Sequence, residues 1–134
     1  MNEAAVGVPA PDSRAARALR YIEIVTEITA AAKLPGHRAT AWDRLAPLVA
    51  ADAFRLFGRG KQEMDWPAAV SAMERWARAT AFSATVRRLD EAGRLVFMEL
   101  DERITVQGQS SSRRSMTVFA FDAADRICRL DAFQ

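Results

Sequence analysis

Residues 94–106, RLVFMELDERITV, are long enough, and past the apolar run Leu95–Met98 alternate well enough, to read as one strand. Extended backbone would place Val96, Met98, Leu100, Glu102, Ile104 and Val106 on one face, and Leu95, Phe97, Glu99, Asp101, Arg103 and Thr105 on the other. A strand this long predicts the central strand of a curved sheet. The period of 2 begins at Phe82 and persists to the end of the chain. Residues 82–89, 94–106, 114–121 and 126–133 read as four strands joined by the turns DEAG, QGQSSSR and DAAD, an antiparallel meander. Ser110, Ser111 and Ser112 read as a loose hairpin tip.

Before Phe82 the period is helical. Asp12 or Ser13 can cap a helix starting near Arg14 and running to about Ala32, with Leu19, Ile22, Val25 and Ile28 as its apolar stripe and Tyr21 and Ile24 beside it. Leu34-Pro35-Gly36 stops it. Thr40 followed by Asp43 resembles a capping box for a second, shorter helix carrying Trp42, Leu45 and Val49, which Pro47 kinks or shortens. DAFRLF, residues 52–57, reads as a short strand followed by the turn GRGKQE. A third helix begins at Asp65, tolerates Pro67 in its first turn, and carries Val70, Met73 and Ala77 to about Thr80. The order is helix, helix, strand, helix, then four strands. It predicts an α+β fold: three helices packed in the concave face of a curved, mainly antiparallel sheet, with residues 1–13 a flexible leader and 14–134 one domain.

Length and charge narrow the functions. A 134-residue chain that is 50% hydrophobic can bury roughly two-thirds of its unfolded surface, enough for a core and one modest cavity. Its 19 basic and 17 acidic residues are interspersed, so no basic patch points to nucleic acid. Cys128 is the single cysteine and His37 the single histidine. That excludes an internal disulfide and Cys- or His-rich metal sites, and leaves His37, in KLPGHRAT, reading as a solvated loop residue. No run approaches the roughly 20 apolar residues of a membrane span, and the first residues lack a signal-peptide pattern, so a cytoplasmic location is expected.

Glu102 is the one carboxylate on the apolar face of the long strand. Desolvation there would suit it to general acid or base work near neutral pH. The alternative is a structural pairing with an arginine from a neighbouring strand, such as Arg87 or Arg114. Tyr21 could offer its hydroxyl to a ligand oxygen, or keep its ring in the core with the hydroxyl at the edge. Asp131 would be a second acid only if its face of the last strand is the concave one; otherwise it forms an exposed pair with Arg129.

The stretches ALRYIEIV, LAPLVAADAFRLFGRG, RLVFMELDERI and TVFAFDAADRICRLDAF, in that order, resemble the nuclear-transport-factor-2-like (NTF2-like) superfamily. This is the cone fold of SnoaL-like polyketide cyclases, ketosteroid isomerases and limonene-epoxide-hydrolase-like proteins. The resemblance spans about residues 14–134 and implies a pocket between the helices and the sheet. Ketosteroid isomerases keep a carbonyl-polarising tyrosine after an arginine in the first helix, which Arg20-Tyr21 matches. Their general base falls at Phe57 and their second oxyanion acid near Thr117, and neither residue can do that work. In epoxide hydrolases of this fold the arginine position is Leu100, the first aspartate position Glu102, and the last Ala132 or, with a one-residue shift, Asp131. The water-holding tyrosine and asparagine positions become Arg55 and Phe57.

Together these imply a SnoaL-like pocket for an apolar, cyclic ligand, lined by Trp42, Phe57, Met98, Leu100, Met116 and Val118. Glu102, Tyr21 and Asp131 would be its catalytic groups if it catalyses a cofactor-free isomerisation, cyclisation or hydration. The alternative is a non-catalytic ligand-binding or dimeric accessory protein. No cofactor, metal, nucleic acid or membrane is expected as a partner, and the outer sheet face is expected to pair two copies.

Overall fold

The computed structural model describes residues 7–58 and 62–133. Helix α1 (Arg14–Ala31) begins at Ser13, whose hydroxyl accepts from the Ala16 amide. The amide of Ala15, another that lacks a partner within the helix, donates to Glu91 at 3.0 Å across from the sheet, so the helix start is fixed to the strand it lies on. Arg14 ties the same end to two hairpin turns, through Asp125 at 2.8 Å and the Gly93 carbonyl at 2.7 Å.

Residues Ala39–Leu48 form a 3-10 helix rather than the α-helix expected from Thr40 and Asp43. Its first flanking residue is Arg38, which makes no side-chain cap, and Pro47 denies the last turn an amide. Strand β1 (Arg55–Phe57) is shorter than expected, and β2 (Glu63–Met64) was not foreseen. Most of the glycine-flanked turn between them, Arg59, Gly60 and Lys61, lies outside the described residues. Helix α2 (Trp66–Ala79) is capped by Asp65, which accepts from the Ala68 amide, with Pro67 in its first turn. Lys33 joins the two helix ends, its Nζ donating to the carbonyls of Thr29, Ala77 and Thr80 at 2.5, 2.8 and 2.5 Å.

Strands β3 (Ala81–Ala92), β4 (Leu95–Val106), β5 (Gln109–Phe121) and β6 (Ile127–Phe133) form the meander. The six strands make one sheet in the order β2-β1-β6-β5-β4-β3, antiparallel throughout except where β1 runs parallel to β6. The long strand β4 is therefore flanked on both sides but sits one place from the edge. Two-residue turns join β3 to β4 and β4 to β5. Gln107 and Gly108 both have positive φ, 52° and 79°, the backbone of a type I′ turn whose twist suits a hairpin. This tight turn draws Ser110–Ser112 into β5, correcting the expectation of a loose tip.

Register divides the sheet into an inner face, covered by the helices, and an outer one. Inner rows are Glu91, Val96, Phe119 and Leu130; Leu89, Met98, Thr117 and Ala132; Val86, Leu100 and Ser115; and Ala84, Glu102 and Arg113. Val96, Met98, Leu100 and Phe119 are buried against Tyr21, Ile24, Val25 and Ile28 of α1 and Trp42 and Leu45 of the 3-10 helix. The Tyr21 ring meets Phe119 edge-on at 5.7 Å. Ala15 and Ala18 are also buried, so the face α1 presents to the sheet lies one step round from the expected stripe and leaves Leu19 and Ile22 only half-buried.

Candidate functional site

Polar chemistry enters the inner face where the apolar rows end. Glu102, its side chain 10% exposed, accepts from Arg113 Nε at 2.8 Å on one carboxylate oxygen and from the Ser115 hydroxyl at 2.6 Å on the other. Arg113 stands directly across the strand from Glu102, and Ser115 one inner row further along. The lone desolvated carboxylate is corrected, and the alternative pairing with an arginine of a neighbouring strand is what the structure has, with Arg113 in the place of Arg87 or Arg114. Arg87 and Arg114 lie on the outer face and both hold Asp101, at 3.3 and 2.8 Å; the hydrogen bond from Arg114 keeps that carboxyl below its ordinary range.

The same register separates the other expected site residues. Met98 and Leu100 face inward and are fully packed, while Met116 and Val118 point to the outer face, opposite Glu99 and Phe97. Phe57 pairs with Asp131 across the parallel β1–β6 junction and so faces outward too, under the Arg129 guanidinium at 4.2 Å from its ring centre; Leu56 takes the inward position. Asp131 is bound by Arg129 at 2.8 and 3.3 Å on that outer face, so it cannot act beside Glu102. Tyr21 is on the inner face but buried. Desolvation raises its hydroxyl pKa far above the usual value, and the hydroxyl meets the Met73 sulfur at 3.8 Å. Trp42 is 1% exposed and donates its indole N–H to Glu74 at 2.8 Å, a core residue and not a pocket wall.

Glu74 of α2 was not singled out by its sequence context, and His37 read as solvated. In the structure the His37 side chain is 4% exposed and bonds Glu74 at 2.9 Å, and Arg78 bonds the second oxygen at 2.7 Å. Burial alone would raise the Glu74 carboxyl pKa. The donors His37, Trp42 and Arg78 overcome it and hold the group at about 2.

Beside the Glu102 row, at the edge where α1 crosses β3, lies a groove of about 370 Å³ lined by Leu19, Ile22, Thr26, Ala84 and Val86, with Glu23 and Glu27 at its rim. Ala84 is the strand partner of Glu102. A second groove of about 590 Å³, lined by Ser83, Thr85, Asp101, Glu102, Arg103, Ser112, Arg113 and Arg114, is more polar and takes in the Glu102–Arg113 pair itself. Among the described residues no group of three or more His, Cys, Asp or Glu side chains could hold a metal ion. None of the described helices is long and apolar enough to cross a membrane.

Helices of this number over a six-stranded, mostly antiparallel open sheet define an α+β protein whose polar side chains emerge at one end of the covered face. The fold is that of the NTF2-like superfamily. A SnoaL-like protein from Shewanella putrefaciens superposes with a TM-score of 0.68 at 13% identity, over 90% of this chain and 78% of that one. An LEH-like epoxide hydrolase of M. tuberculosis gives 0.63 at 15% identity over 88% and 83%. A protein with a ketosteroid isomerase-like fold from Catenulispora acidiphila gives 0.61 at 19% identity over 84% and 85%. No family model matches the sequence, and no curated protein matches it. At these identities the likeness establishes fold and not activity.

Proposed function

We propose that the chain is a small-molecule-binding protein without acid-base turnover, taking an apolar, cyclic ligand into the groove between α1 and β3 with the Glu102 cluster as its polar end. The observation that supports this reading is a groove walled by Leu19, Ile22, Ala84 and Val86 in which Ala84 is the strand partner of the hydrogen-bonded Glu102, apolar walls with a polar group one strand away. Cofactor-free isomerisation, cyclisation or hydration would need a second titratable group beside Glu102. The side chains bonded to it are Arg113 and Ser115, and Asp131 belongs to the other face.

The test uses 2-naphthamide as a neutral probe, followed by titration calorimetry and by amide shifts. Parent protein is expected to bind it, with shifts centred on Ile22, Ala84 and Val86. Ala84→Trp, which places a large ring in the groove from an edge strand that tolerates aromatics, is expected to weaken binding by about tenfold or more. Unchanged affinity in that variant would place the ligand elsewhere.

The outer sheet face supports the further proposal of a homodimer. Phe97, Met116, Val118, Phe57 and Phe133 form an apolar field, with Phe133 56% exposed, and the Arg129–Asp131 pair within it carries both charges, as a self-complementary surface requires. Val118→Asp is expected to convert a dimer to a monomer in sedimentation at micromolar concentration. A parent that already sediments as a monomer would sink this assignment.

A further inference from the structure

We propose a second binding site, separate from the groove between α1 and β3: the polar groove over β3, β4 and β5 takes a small phosphorylated sugar, with Arg103 and Arg114 receiving its phosphate. It depends neither on the inner groove nor on the ligand proposed there.

Register assembles the site. The alternation that turns Glu102 and Arg113 inward turns the six other lining residues outward in two rows, Ser83, Arg103 and Ser112 in one and Thr85, Asp101 and Arg114 in the next. Neighbours in a row are one strand spacing, about 4.8 Å, apart, so a hydroxyl flanks Arg103 on either side. No lining residue is apolar, which leaves an apolar ligand nothing to bury against. Asp101 is already held by Arg114 at 2.8 Å and by Arg87 at 3.3 Å. The side chains of Arg103, Ser83, Thr85 and Ser112 are exposed and bond to none of the described residues, so their donors face the groove or solvent. Arg114 turns Nε and Nη2 to Asp101 and keeps Nη1 for an anion.

Charge selects the ligand. Three cations, Arg87, Arg103 and Arg114, against the one carboxylate of Asp101 leave two positive charges over these rows, while the Glu102–Arg113 pair cancels itself. A phosphate monoester carries about −1.5 to −2 at pH 7 and matches that excess; a carboxylate answers half of it. The excess does not extend along the sheet. In the outer row on one side Arg88 faces Glu99, and on the other Ala81, Thr105 and Ser110 carry no charge. A nucleic acid, charged at every step of its backbone, would outrun so short a patch. The volume of about 590 Å³ leaves room beyond the phosphate, and the hydroxyls of Ser83, Thr85 and Ser112 both donate and accept, as the hydroxyls of a sugar require.

The test follows amide shifts at pH 7 with ribose 5-phosphate, inorganic phosphate and ribose as probes. Ribose 5-phosphate is expected to shift Ser83, Arg103 and Ser112 and to bind about threefold or more tightly than inorganic phosphate, with ribose alone shifting none of them. Arg103→Gln should weaken it about tenfold, the scale of one charge-assisted donor. Arg88→Gln removes the same charge from the adjacent outer row and should change the affinity by less than about twofold. Asp101→Asn takes away the opposing charge and should tighten binding severalfold, a gain that purely structural arginines would not give. Thr85→Val keeps the branched shape without the hydroxyl and should narrow the advantage over inorganic phosphate. Each of these side chains is at least partly exposed, and an unchanged urea midpoint shows that the variants fold. Equal losses in Arg103→Gln and Arg88→Gln would mean attraction by net charge without a site, and would overturn the proposal. Equal affinities for ribose 5-phosphate and inorganic phosphate, or a parent in which Ser83, Arg103 and Ser112 do not shift, would overturn it as well.

Discussion

Glu74→Ala is expected to destabilise the protein by about 2–5 kcal/mol, because it leaves two buried donors without an acceptor at about 1–3 kcal/mol each. The loss follows from what remains. The His37 side chain, 4% exposed, and the indole N–H of Trp42, a residue 1% exposed, would both lose their acceptor inside the protein, and the 3-10 helix would lose its polar tie to α2. Urea unfolding followed by tryptophan fluorescence measures it. A loss under about 1 kcal/mol would mean that water replaces the carboxylate without penalty.

A pH signature accompanies this. The Glu74 carboxyl titrates at about 2 in the folded protein against 4.5 without these surroundings. Because the folded value is the lower one, the stabilisation is fully present above about pH 4.5 and is lost as pH falls toward 2. Since 14% of the side chain meets water, a stabilisation on the order of 2 kcal/mol is expected, less than the full shift would give at 1.36 kcal/mol per unit. Glu74→Gln keeps an acceptor for Trp42 and removes the titration, so the stability gap between parent and variant should close over this acidic window. A gap that stays constant from pH 7 to pH 2.5 would show that Glu74 does not titrate there.

Phe119→Ala is the second large effect, about 3–5 kcal/mol, since it empties the middle of the inner face where β5 meets α1. Phe119 is 1% exposed and carries the Tyr21 ring on its edge. Tyr21→Phe, by contrast, keeps that contact and gives up only the bond to the Met73 sulfur, so its cost should stay below about 1 kcal/mol. The pair separates two roles for Tyr21. If Tyr21→Phe left stability unchanged but abolished naphthamide binding, the hydroxyl would be a ligand donor after all.

Much of the site's geometry was written in one dipeptide. Gln107-Gly108 forms a two-residue turn, and counting back from its first pair, Val106 with Gln109, sets Glu102 opposite Arg113. Read as the longer turn QGQSSSR, it hid that register and directed attention to Arg87 and Arg114. The faces of β5 and β6 were a different matter. Met116, Val118 and Ala120 are about as apolar as Thr117, Phe119 and Phe121, so alternation separates the two sets without saying which one the helices cover. His37 and Glu74 lie 37 positions apart, and nothing local marks either as the other's partner.

The sequence by itself determined the helix-then-strand order, the start of α2 near Asp65, the stop after α1 and the inward face of β4, because each depends on neighbours within a few residues. Tertiary structure alone decided that β1 adds parallel to β6, that Phe57 and Asp131 turn outward, and that Arg113 and Ser115 complete Glu102. Those are long-range pairings, and a strand shifted by one residue would exchange every one of its faces while leaving its local pattern unchanged.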